Sequence, residues 1–300
     1  MDGESILDRI RRSRNLKLFI LISPGLVFLA IFFFAPFIIA LFLSLGMLDK
    51  EVYTWYFVFT PTLKYYLRFF TNPGTLKAIT LSFYYASITT LGTLILSYPM
   101  AYYMAFKMDR RMKSTAMFII FLPFWINFIL RVYAMRFILH EAGPLQQALI
   151  SIGILREPIH ILGTDIAVII TMIYSYLIFM LLPIYGVVEK INKEYIEAAY
   201  TLGATPIKTF LKVTLPLSKP GIIAGSLLVF IPALGEFIIP ILVGGGRAYT
   251  IGRLIYDNFI RISGLLGWTL GSAASMVYIL MIVVATYLYF KFVGREIKLV

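Results

Sequence analysis

The sequence predicts an all-α membrane protein of six transmembrane helices, and three observations carry that prediction. Of its 300 residues 60% are hydrophobic, the mean hydropathy is +0.87 and only 14% are charged; a soluble domain carries roughly a quarter charged residues. Apolar runs of about 20 residues recur, each long enough to cross a hydrocarbon core of about 30 Å. These runs are apolar on every helical face, which a surface helix of a soluble domain is not. A β-barrel is excluded, because the runs lack ten-residue alternation. The chain has no cysteine, so disulfides, thiol catalysis and cysteine metal sites are absent.

The elements follow in order. Residues 1–17 form a basic arm with Arg9, Arg11, Arg12, Arg14 and Lys17. The apolar run after it is nearly thirty residues long and has no small-residue cleavage site, so it is expected to remain as span one, 18–46. Residues 47–76 are rich in aromatics (Tyr53, Trp55, Tyr56, Phe57, Tyr65, Tyr66, Phe69, Phe70), which favours an interfacial helix on the membrane surface. Span two is 77–105 and span three 114–138. The loop 139–165 holds Gly143-Pro144 and a short apolar helix around Leu145–Ile154. Span four is 166–188, and the loop 189–218 precedes span five, 219–243. Gly244-Gly245-Gly246 then opens a loop to 268 with an amphipathic piece, and span six is 269–292. Residues 18–300 make one transmembrane domain without internal repeat, so a central pathway requires a second subunit.

Orientation follows from lysine and arginine. Seventeen fall in the arm, after span two, in 189–219 and after span six, against seven in the other loops. Both termini and the 189–218 loop are therefore expected on the cytoplasmic side of a multi-pass cell membrane protein. The net charge of +12 reads as a topology signal in contact with membrane lipid, and nucleic acid is not implied as a partner.

The most informative loop is 189–218. Tyr195, Ile196, Ala199, Leu202 and Gly203 lie at helical spacing, Gly203 breaks the helix, and a second short helix runs from Pro206 to about Val213. Pro206 suits a first helical turn, where a missing N–H costs little. Such a hairpin is shaped to sit in a partner's groove.

Catalytic and metal motifs fail on inspection. Gly203-Ala-Thr-Pro-Ile-Lys208-Thr209 lacks the glycine before the lysine and the preceding strand that a phosphate-binding loop needs. His140 and His160, the only histidines, share one outer loop without zinc-type spacing. No nucleophile, base and carboxylate assemble on one face of the membrane. The chain is expected to be non-catalytic and to bind no cofactor of its own.

The 189–218 loop also carries a long, unevenly spaced motif: Glu197-Ala198-Ala199, three residues, Gly203, nine residues, then Val213-Thr214-Leu215-Pro216. It resembles the signature of binding-protein-dependent ABC transporter permeases, departing only in Val213 where Ile is usual. Leu122-Pro123-Phe124-Trp125 with Arg131-Val132-Tyr133-Ala134, and Pro232-Ala233-Leu234-Gly235-Glu236-Phe237 with Ile239-Pro240, are similar to spans three and five of spermidine/putrescine permeases of the first-subunit type. Ferric iron and aminophosphonate permeases share parts of these patterns. The resemblance implies a type I ABC importer permease fold with a cytoplasmic coupling helix. It also implies a cytoplasmic ATPase dimer that binds ATP and Mg, a second, homologous permease subunit, and an extracytoplasmic solute-binding protein. Glu197, Ala198, Ala199, Gly203, Val213, Leu215 and Pro216 would form the coupling segment, its small residues allowing close approach. A stand-alone channel or secondary carrier is the rival from another class.

Of fifteen acidic residues, only Glu236 falls well inside a predicted span. A carboxylate there is costly unless paired or facing water. It either lines the pathway and attracts an ammonium group, or pairs with Arg131 or Arg136. Trp125, Tyr133, Phe237 and Tyr174 are candidate cation–π partners for a polyamine, although with 16% aromatics simple packing competes for each ring. Asn127 is a further pathway candidate.

Overall fold

The computed structural model describes residues 14–46, 61–262 and 264–297, and the described residues contain helix but no strand. The arm residues Arg9, Arg11 and Arg12, the aromatics at 53–57 and Lys298 lie outside them.

Span one is α1 (Arg14–Leu29), a π-helical turn (Ala30–Phe34) and α2 (Ala35–Leu45). The wide turn ends two residues before Pro36, which has no N–H to return to the preceding turn. The interfacial segment yields α3 (Lys64–Thr71). Span two is α4 (Pro73–Phe106), started by Asn72, whose side chain accepts Gly74 N at 2.8 Å. Span four is α8 (Asp165–Val188), and span six is α14 (Leu265–Ile297).

Two expected spans differ from the sequence reading. Span three is broken: α5 (Arg110–Phe121) and a 3₁₀ turn (Leu122–Trp125) meet α6 (Phe128–Leu139) at a bend of 94°. Pro123 cannot donate, the chain turns extended at Ile126, and Asn127 caps a new helix by accepting Ile129 N at 2.9 Å. By length and composition, five helices cross a membrane, and six do if this bent pair is one span.

Span five is displaced. After α7 (Pro144–Ser151) and α9 (Lys193–Thr201), one continuous helix runs from Pro206 to Leu234: α10 (Pro206–Thr209), a second π turn (Phe210–Thr214) and α11 (Leu215–Leu234). The hairpin's second arm is thus the start of the span, not a separate helix. This π turn again ends two residues before a proline, Pro216, so the helix widens rather than stops. At the other end it breaks at Gly235–Phe237 before α12 (Ile238–Val243), and α13 (Ile251–Ile260) follows.

The core is α4, α8 and α11 side by side, with α12 and α6 against α8 and α13 against α4. Close approach comes from small residues. Ala78, Ser82, Ala86, Thr89, Thr93, Ser97, Ala101 and Ala105 are all buried along one stripe of α4, as in membrane bundles where lipid supplies no hydrophobic drive between helices. Tyr98 and Ser218 hydroxyls join α4 to α11 at 2.7 Å, and the Ser97 hydroxyl donates to Leu177 O on α8 at 3.2 Å. Span one packs only its C-terminal half, α2, on α14; residues such as Leu21, Phe28 and Phe32 remain exposed.

Candidate functional site

Two regions concentrate the sequence-predicted residues. The first is the hairpin between α8 and α11. Asn192 caps α9, accepting Glu194 N at 3.1 Å while its amide donates to Glu194 Oε2 at 2.9 Å. The Glu197 side chain makes no hydrogen bond or ion pair among the described residues and takes no part in this cap. Gly203 closes α9 with φ +78°, a left-handed turn that costs a side-chain-bearing residue. Ala204 N then donates to Ala199 O at 3.0 Å.

The motif divides in space. Glu197, Ala198 and Gly203 are exposed and Ala199 is half-buried at the knob. Around them Tyr195, Leu202 and Ile207 are bare, Leu202 at 88%. Val213, Leu215 and Pro216 are instead half-buried where the π turn enters the bundle, with Leu215 and Phe210 packed on the core. One half of the motif presents a surface, and the other joins that surface to a transmembrane helix.

At the base of the hairpin Lys113 on α5 reaches Glu189, at the end of α8, across 3.2 Å. The Tyr185 hydroxyl first, and the Lys113 ammonium after it, hold the Glu189 carboxyl below its usual range against the opposing effect of burial.

The second region is where spans three and five break. Glu236 is 7% exposed and both its oxygens are engaged. Oε1 accepts Ile238 N at 2.9 Å and Ile239 N at 3.3 Å, capping α12, and Oε2 accepts the Tyr176 hydroxyl of α8 at 2.6 Å. The Thr250 hydroxyl donates to Glu236 O at 3.0 Å, fixing α13 to the same break. Gly235 is glycine because a Cβ would come within 2.1 Å of the Tyr278 hydroxyl.

An aromatic chain connects the two breaks. Phe124 meets Phe179 edge-on at 5.2 Å, Phe179 lies 6.1 Å from Tyr176, and Arg131 sits over Phe124 at 4.7 Å. Arg131 is 7% exposed and its Nε lacks a hydrogen-bond partner. The expected ion pair of Glu236 with Arg131 or Arg136 does not form among the described residues. Backbone amides and a phenol satisfy the carboxylate, and aromatic faces hold the guanidinium.

The remaining candidates are scattered. Phe237 stacks on Tyr256 at 5.4 Å, and Asn127 is spent as a helix cap. Trp125 is 75% exposed with its edge on Phe118, and Tyr133 and Tyr174 also face outward; this chain brings none of the three to Glu236. Sequence reasoning missed Tyr176 in favour of Tyr174. The signal was present: Thr171, Met172 and Ser175 share the buried stripe of α8 with Tyr176, while Tyr174 falls on the opposite face.

No group of three or more metal-ligating side chains occurs among the described residues. What the breaks do provide is a carboxylate, a phenol and helix ends close together, and membrane transporters place ion and substrate sites at such helix discontinuities.

Residues 97–298 match the family described as binding-protein-dependent transport system inner membrane component. The chain is 36% identical to the spermidine/putrescine transport system permease protein PotB of Haemophilus influenzae, covering 93% of this chain and 96% of that one. It is 39% identical to PotB of Escherichia coli over 64% of this chain and 68% of that one. A chain of a bacterial ABC transporter that imports the acidic polysaccharide alginate superposes with a TM-score of 0.77, at 17% identity, covering 97% and 98% of the two chains. That likeness shows the fold: the type I ABC importer permease architecture.

Proposed function

The chain belongs to the family of binding-protein-dependent transport system inner membrane components, and from that membership we propose that it is one transmembrane subunit of an ATP-driven polyamine importer for spermidine or putrescine. The observation that carries this reading is the 36% identity to a spermidine/putrescine permease along nearly the whole of both chains. The hairpin 189–218 is the handle: its exposed knob, from Glu197 to Gly203, enters a groove of a cytoplasmic ATPase that binds the ATP and magnesium. A second, homologous permease completes the pathway, and an extracytoplasmic binding protein delivers cargo to the opposite face. Both termini lie on the cytoplasmic side, as the lysine and arginine distribution supports.

In this scheme ATP binding draws the coupling helices together and hydrolysis resets them, giving alternating access around a mid-span site. The π turn at Phe210–Thr214 keeps the hairpin's second arm and span five one continuous helix, with the knob at its end. Glu236 anchors the break in span five and supplies negative charge where an ammonium group passes.

The test is ATP hydrolysis by the assembled complex in proteoliposomes. Binding protein loaded with spermidine or putrescine should stimulate it, and unloaded binding protein should not. Stimulation only by a binding protein carrying ferric iron or an aminophosphonate would replace the cargo. Undiminished uptake after removal of the ATPase would replace the mechanism with a stand-alone carrier.

A further inference from the structure

We propose that the cleft between α3, the start of α4 and α13 binds the phosphate of an anionic phospholipid, with an acyl chain laid along α14. The cleft lies at the end of α4 away from the coupling hairpin and measures about 220 Å³. Its polar lining is Tyr65, Arg68, Asn72, Thr75, Tyr249 and Asn258. Arg68 makes no side-chain hydrogen bond or ion pair among the described residues. Thr75 is only 6% exposed and its hydroxyl has no partner there either. The Asn72 side-chain oxygen is committed to Gly74 N, which leaves its NH₂ as a donor.

Charge selects an anion. Asp257 on α13 is already held by Arg261 at 3.0 Å, with Arg253 at 4.0 Å. Among the described residues, Lys64 and Arg68 of α3 with Arg253 and Arg261, against Asp257, leave α3 and α13 net positive. A guanidinium with adjacent amide and hydroxyl donors matches a phosphate group.

An adjoining feature distinguishes a lipid from a free phosphate. Phe69 lines the polar cleft, while its neighbour Phe70 lines a second, apolar groove of about 290 Å³. That groove follows α14 past Val277, Leu280, Met281 and Leu288, about 16 Å at the helical rise. Helix α3 exposes Leu67 and Phe70, as a helix lying in the membrane interface does. A headgroup cleft and an acyl groove therefore meet across one helix.

Native mass spectrometry of the intact importer tests this, titrating phosphatidylglycerol, phosphatidylethanolamine and inorganic phosphate separately. Phosphatidylglycerol should bind in preference to the zwitterionic lipid, and R68Q should weaken it about tenfold, the scale of hydrogen bonds to a charged group. K64Q, one turn away on α3 and outside the cleft, should leave it unchanged. Leu280→Trp should weaken lipid but not inorganic phosphate. Equal losses in R68Q and K64Q, or none in either, overturn the site. Inorganic phosphate competing as strongly as lipid retains the anion chemistry and overturns the acyl groove. Lipid retention intact in R68Q, with docking of the loaded binding protein lost, overturns the lipid and assigns Arg68 to an acidic protein surface. Lipid binding is read without cargo, so its failure leaves the polyamine reading untouched.

Discussion

The Tyr176 hydroxyl donates to Glu236 Oε2 at 2.6 Å, tying span four to the break in span five. The other carboxylate oxygen serves two backbone amides, so one side chain satisfies three donors in a buried place. E236A leaves all three without an acceptor, at about 1–3 kcal/mol each, and is expected to lower the unfolding temperature of the purified complex. E236Q keeps an acceptor and the shape. With its oxygen toward Ile238 N and Ile239 N and its NH₂ donating to Tyr176, it should unfold within a few degrees of wild type yet take up spermidine at least about tenfold more slowly, since the charge is gone. Unchanged uptake in E236Q would make Glu236 a cap and nothing more. Y176F should cost about 1.5–3 kcal/mol, as loss of a hydrogen bond to a charged group.

The hairpin knob should be separable from bundle stability. A Cβ at Gly203 meets nothing within 4 Å, so the penalty of G203A comes from φ +78° alone, roughly 1–2 kcal/mol and confined to the turn. Leu202, at 88% exposure, contributes no packing to the bundle. L202D should leave thermal unfolding of the isolated chain unchanged while abolishing co-purification of the ATPase subunit. Retention of the ATPase by L202D would remove the knob from the coupling scheme.

Packing between α8 and α11 makes the opposite prediction. A Cβ at Gly221 would lie 2.7 Å from Pro183 O, and one at Gly225 would lie 2.8 Å from the Met180 sulfur. The first neighbour is backbone and cannot move aside; the second is a flexible thioether, with Met180 O less crowded at 3.0 Å. G221A should therefore destabilise by about 1–3 kcal/mol and G225A by less. G25A, with nothing within 4 Å of its Cβ in span one, should be neutral or stabilise slightly. Thermal unfolding of the three variants in one detergent ranks them.

These residues show why some of the molecule was legible and some was not. Spans two, four and six were visible because Pro73–Phe106, Asp165–Val188 and Leu265–Ile297 are apolar over their length and uninterrupted by a strong break. Spans three and five misled because hydropathy is blind to backbone hydrogen bonds. Pro123 and Asn127 end and restart a helix within apolar sequence, while Pro216 only widens one. Glu236 stood out by charge, but its partner Tyr176 became evident only once the face of α8 was known. Arg131 was readable as one possible partner of Glu236, not as resting on Phe124, because that contact depends on the bend in span three.

The last prediction concerns acid. Glu189 has its pKa lowered from about 4.5 by the Tyr185 hydroxyl and then by Lys113. A depressed carboxyl contributes stability above its unfolded value and loses it as pH falls through the folded one, so the effect belongs below about pH 4.5. Glu189 is 41% exposed at the side chain, and solvent screening keeps the Lys113 coupling to about 0.2–1 kcal/mol. In a double-mutant cycle of K113A and E189Q the coupling should be present at pH 7 and fall away in acid, below about pH 4.5. Both ends sit at the foot of the hairpin, so K113A should also loosen α5 there, read as faster amide hydrogen exchange at Arg110–Phe121. Coupling that does not change with pH would mean that packing, not charge, holds α5 to α8.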